Sequence, residues 1–110
     1  MRAFQPTGNI QSFTAATPNA PTSQQAVSND QTGNQQYVLT NTDGTNDAII
    51  GWGASDAEAK ANAANGTSVK NCYYLLHGTQ VVVTGSRDAF FTGISVAGSP
   101  VIKVQPGYGN

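Results

Sequence analysis

Apolar residues along this chain come in short runs separated by turn formers, and the runs crowd into its later two-thirds. Tyr37-Val38-Leu39-Thr40, Ala48-Ile49-Ile50-Gly51-Trp52 and four further runs after Cys72 have strand length and strand composition. They predict strands over residues 36–41, 47–53, 72–77, 79–84, 89–96 and 101–105. The punctuation between them is turn chemistry: Asn41-Thr42-Asp43-Gly44, His77-Gly78, Gly85-Ser86-Arg87-Asp88 and Ala97-Gly98-Ser99-Pro100. Asp43-Gly44 reads as the tip of a hairpin, and Pro106-Gly107 reads as the end of the fold. Alternation puts Phe90, Thr92, Ile94 and Val96 on one strand face and Phe91, Gly93 and Ser95 on the other. Glycines on both sides of Trp52 predict a bulge or a close backbone approach.

One stretch breaks the β pattern. In residues 54–66, Ser55 and Glu58 have capping-box spacing, alanines recur, and Asn65-Gly66 supplies a stop. A helix of about two turns is predicted, with no large apolar face to hold it; an ordered surface loop is the competing reading.

Residues 1–34 differ again. Gln, Asn, Thr, Ser, Ala and Pro dominate, and Phe4, Ile10, Phe13 and Val27 are the sparse large apolar side chains. Such a stretch buries too little surface to offset its own ordering entropy. It reads as a polar N-terminal arm before a β-sandwich domain over residues 35–110. The arm is either a floppy terminus or an extended segment that orders on a partner, with Phe4, Ile10 and Phe13 as its anchors. A first strand over residues 9–14 is a third reading, because Ile10, Ser12 and Thr14 alternate with Gln11 and Phe13. The expected architecture is all-β, a sandwich or small barrel with an extended arm and one short helix.

Composition narrows the partners. Charged residues make up 10% of the 110 residues, against about 25% in an ordinary domain. The net charge is -1, and Arg2, Lys60, Lys70, Arg87 and Lys103 are scattered singly. Nucleic acid is therefore not the expected partner, since counterion release needs clustered basic residues. No run approaches the ~20 apolar residues of a membrane span. The first residues lack the apolar core of a secretion signal, so synthesis in a cytoplasm is expected. Cys72 is the single cysteine, which excludes an internal disulfide and a cysteine-based zinc site.

Candidate chemistry is thin. His77 is the single histidine and lies an odd number of residues after Cys72, so a continuous strand points them to opposite faces. Asp56 and Glu58 are spaced for a helix N-terminus rather than for acid–base work. Oxygen-bearing side chains alternate through residues 41–47, and Asp43, Asn46 and Asp47 are candidate ligands of a hard cation. The EF-hand spacing fails, however, because Asn46 and Trp52 stand at the loop's sixth and twelfth positions. No phosphate loop occurs. No catalytic residue and no cofactor is expected, and the chain reads as a non-enzyme.

From Tyr37 to Gly109 the chain resembles small bacteriophage virion proteins. The resemblance rests on Gly51-Trp52-Gly53 after an apolar strand, the Ala/Ser-rich residues 54–66, and Leu75-Leu76-His77-Gly78-Thr79 before a Val-rich strand. It ends on Val101-x-x-Val104-x-Pro106-Gly107-x-Gly109. It implies virion association and a jelly-roll-like sandwich, and transfers no catalytic or binding residue. The expected function is that of a decoration (cement) or minor capsid protein. Its partners would be the major capsid protein or other virion subunits, and its own copies in a trimer. A head–tail connector or fibre anchor is the alternative within the virion. A carbohydrate-binding module, with Trp52 and Tyr73 or Tyr74 as its platform, is the alternative of another class.

Overall fold

In β4 (Gln35–Asn41), every second residue is buried, and Gln36, Val38 and Thr40 between them are half-buried. That is the signature of a strand with one face on a core. The computed structural model describes residues 5–27, 35–64 and 71–108. The other elements are β1 (Gln5–Pro6), β2 (Gln11–Thr14), β3 (Gln24–Gln25), β5 (Ala48–Gly53), α1 (Asp56–Ala64), β6 (Cys72–Leu75), β7 (Gln80–Gly85), β8 (Phe90–Ser95) and β9 (Val101–Tyr108). The strands form two antiparallel sheets, and neither closes into a barrel.

In the first sheet, β1 and β2 lie end to end along one side of β9, followed by β4 and then β7. The second sheet runs β3-β8-β5-β6. Successive strands mostly change sheet: β4 to β5, β6 to β7, β7 to β8 and β8 to β9 all cross. The Asp43-Gly44 turn, expected to close a hairpin, therefore joins the two sheets instead, as does the His77-Gly78 turn. Turn residues set local chain reversal, but not which neighbour a strand then finds.

Between the sheets lies one core. Phe13, Tyr37, Leu39, Ile102 and Val104 contribute from the first sheet, and Ile50, Trp52, Leu75 and Phe91 from the second. Phe91 packs on Tyr37 with ring centroids 4.8 Å apart, and on Trp52 at 5.8 Å. Gly93 faces inward beside Ile50 and Phe13. The face of β8 with Phe91, Gly93 and Ser95 is thus the core face. Phe90, Thr92 and Ile94 lie on the outer face.

The arm expected over residues 1–34 is not what its described part forms. Residues 5–27 are woven into both sheets. β1 and β2 pair with β9, Ser95 N–H donates to the Ala16 carbonyl, and β3 pairs with β8. Phe13, Ala15 and Ala26 belong to the core. Backbone pairing and three small or aromatic inward residues supply the order that the polar composition conceals. The reading of residues 9–14 as a first strand matches β2. The expected boundary near residue 34 lies outside the described residues. Nor does Pro106-Gly107 end the fold: β9 runs through both, opposite Tyr37 and Gln36 of β4.

α1 forms where the capping box placed it. Ser55 Oγ accepts the Glu58 N–H at 3.2 Å, and Asp56 and Glu58 sit favourably in the first turn. What holds it is a close approach rather than an apolar stripe. Its buried residues are Ala59 and Ala63. They rest on Gly51, where a Cβ would overlap the backbone of Ala63. The Asn62 side chain donates to the Trp52 carbonyl at 2.8 Å. Gly51 thus serves a backbone approach, while a Cβ at Gly53 would meet the Glu58 side chain.

Candidate functional site

Among the described residues, four exposed large apolar side chains, Tyr73, Tyr74, Leu76 and Val82, lie on β6, β7 and the turn between them, while Ile10, Val27 and Val96 stand elsewhere. β6 and β7 are edge strands of the two sheets, so the cluster marks one side of the sandwich, where both ladders stop. Exposed apolar surface next to unpaired strand edges is the physical profile of an association surface.

A polar cluster positions this side. The Asp47 carboxylate accepts from the His77 N–H at 2.9 Å and lies 2.8 Å from His77 Nδ1. It also accepts from the Tyr74 hydroxyl at 3.2 Å. These donors, the His77 N–H first, hold the Asp47 carboxyl below the usual carboxylate range. Desolvation, with the Asp47 charge behind it, raises the Tyr74 phenol. Behind them Asn41 is fully buried. Its amide donates to the Asn46 and Leu75 carbonyls at 3.0 and 3.2 Å, and its oxygen accepts from the Asp43 N–H at 3.0 Å. One side chain thereby ties the 41–47 loop to β6.

The three candidate cation ligands are used otherwise. Asp43 Oδ1 accepts from the N–H groups of Thr45 and Asn46 at 2.7 and 2.9 Å, which lowers its pKa. Asn46 presents its amide N–H to Asp43 rather than an oxygen to a metal. Asp47 turns to His77. The loop is an Asx-type turn whose carboxylates are already occupied by donors. Among the described residues, no three His, Cys, Asp or Glu side chains come together.

The three expected partner anchors separate. Phe4 lies outside the described residues. Ile10 is 58% exposed, over a shallow groove of about 250 Å³ shared with Pro6, Val38, Thr40, Gln80, Lys103 and Gln105. Phe13 is only 6% exposed. It is a core residue, because its place on β2 opposite Ile102 turns it inward, so it is no partner anchor.

The stacking platform does not form either. Trp52 is 5% exposed, stacks on Phe91 and donates its indole N–H to the Thr84 carbonyl at 3.1 Å. Tyr73 and Tyr74, opposite Ile50 and Ile49, point to opposite faces. The Cys72 thiol is pushed up by burial, away from the thiolate a nucleophile requires. Composition did not reveal the edge cluster. Its sequence signal is Tyr73-Tyr74-Leu75-Leu76, a run that exceeds what one buried strand face needs.

No protein-family model, no curated protein and no solved structure matches the chain. No helix among the described residues is long and apolar enough to cross a membrane.

Proposed function

We propose that the chain is a structural subunit of a bacteriophage virion, a decoration (cement) or minor capsid protein with a jelly-roll sandwich. The observation that carries this reading is the strand order. Count β1 and β2 as one interrupted strand, and number the resulting strands in chain order. The sheets then run 1-8-3-6 and 2-7-4-5, the order of a double-sheet jelly roll, an architecture recurrent in viral capsid and lectin domains. Fold alone does not assign function. Support for the virion branch comes from the surface: scarce charge, and apolar side chains gathered on the β6–β7 side. The carbohydrate branch loses its platform to the core, with Trp52.

In this reading the major capsid protein or another virion subunit is the partner, together with further copies of the chain. The subunit is made in the host cytoplasm and resides in the particle. Quantitative mass spectrometry of gradient-purified particles tests it. Expected is co-purification at a stoichiometry comparable to the major capsid protein. A copy number near that of a portal ring would favour a connector or fibre anchor, and absence from purified particles would overturn the reading.

A further inference from the structure

Among the described residues, four strand edges bound the two sheets, and three are guarded. β1 and β2 form an interrupted edge that carries Pro6. β3 has 2 residues and β6 has 4. Short, broken or proline-bearing edges resist pairing with another chain. β7 is different. It has 6 residues, Gln80-Val81-Val82-Val83-Thr84-Gly85, with no charge and no proline. No described strand lies on its far side.

The ladder phase shows which groups face outward. Asn41 N–H donates to the Thr79 carbonyl, so in the β4–β7 pairing the odd-numbered residues of β7 bond to β4. Gln80, Val82 and Thr84 then turn their N–H and C=O groups to the open side. The Thr84 carbonyl already accepts the Trp52 indole and keeps a second lone pair. The Val82 side chain, 52% exposed, lies on the outer face of the sheet.

We infer that β7 pairs antiparallel with β7 of a second copy about a two-fold axis at Val82, joining the two first sheets into one continuous sheet. The occupant must be a strand, because the open groups are backbone donors and acceptors. A second copy fits because the sequence is self-complementary about Val82. Val82 opposes its own counterpart, and Gln80 of each copy opposes Thr84 of the other. Each such pair exchanges two hydrogen bonds, and no like charges meet. The contact is isologous and makes a dimer, not the trimer expected of a decoration protein. It rests on the self-associating subunit proposed above, but its test needs no virion. A monomer in solution leaves presence in particles open, and absence from particles leaves the dimer standing.

The test is sedimentation equilibrium of the full chain, with folding checked by circular dichroism. Wild type is expected at the mass of two chains. V82K and V82E are each expected at the mass of one, since like charges then meet at the axis. An equimolar mixture of the two is expected to recover the dimer. V27K, comparably exposed but beside β3 at the far edge of the other sheet, stays dimeric. Amide exchange supplies a readout without variants: protection at Gln80, Val82 and Thr84 rises with protein concentration. A wild type that stays monomeric at high concentration, a trimer, a V82K that remains dimeric, a mixture that stays monomeric, or concentration-independent exchange at those amides would overturn the inference.

Discussion

On the outer face of the β3-β8-β5-β6 sheet, α1 closes over Gly51, and the Thr92 hydroxyl donates to the Pro21 carbonyl at 2.7 Å. Thr92 is fully buried there. On the outer face of the β9-β4-β7 sheet, Val38, Lys103 and Val82 have no such cover among the described residues, and Ile10 stands over an open groove. Both sheets contribute equally to the core, so the difference does not arise from core packing. It arises from residues of low apolar content, the alanines of α1 and the polar residues before β3. These fit against the covered sheet because glycine lets backbones approach. The bare face leaves Lys103 and Val82 exposed. An antiparallel sheet tolerates this, since one solvated face is ordinary for it.

Four substitutions bear on that contrast. The largest effect is expected for Gly51→Val. Its side chain would enter the space of the Ala59 and Ala63 backbone, and overpacking of this kind costs about 3 kcal/mol. Urea denaturation measures it, and an unchanged midpoint would mean that α1 does not rest on the sheet. Thr92→Val keeps the shape but leaves the Pro21 carbonyl without its donor. The expected loss is about 1 kcal/mol in the same assay, and no loss would mean that the hydroxyl bond is idle.

Asp56 gives a pH-dependent measure of the same cover. Its Oδ1 accepts from Ser23 N–H and Oγ–H at 2.8 and 2.6 Å. With Lys60 at 3.2 Å from Oδ2, these contacts lower its pKa from 3.8 to about 2. A carboxyl depressed in the folded state stabilises fully above its unfolded value and loses that contribution as pH falls through about 2. Asp56→Asn is therefore expected to flatten part of the stability decline between pH 4 and pH 2. Paired thermal melts across that window check it; an identical pH slope in variant and wild type refutes it. The smallest effect belongs to the bare face. Ile10→Ser is expected to change stability by less than about 0.5 kcal/mol. A larger loss by urea denaturation would show that this face is covered after all.

How much of this was legible follows from which forces write themselves into sequence. The strands of the later two-thirds were readable because inward residues such as Tyr37 and Leu39 are large and sit in short apolar runs bounded by turn formers. The helix was readable from Ser55 and Glu58, since a cap is local chemistry. Its support was not readable, because Gly51 and Ala63 become neighbours through tertiary packing. The N-terminal strands were masked by composition. An edge strand with one inward aromatic, Phe13, looks like a polar linker when residues are counted rather than paired. The crossing connections were hidden for a related reason. Asp43-Gly44 specifies a reversal, and only the competition among all strands decides which sheet receives Ala48. As for the candidate site, the run Tyr73 to Leu76 was visible as apolar, but its lying on an edge strand depends on strand order.

The pairing of β1 and β2 with β9 also has a kinetic consequence. The Gln105 side chain donates to the Gly8 carbonyl across a separation of 97 residues. The earliest described strands therefore have no ladder partner until β9 has been synthesised. During translation they wait as unpaired polar chain, and closure of a loop this long is entropically slow. Their low apolar content then has a second use. A waiting strand that carries one large apolar side chain, Phe13, among Gln, Ser and Thr offers little for other nascent chains to stick to.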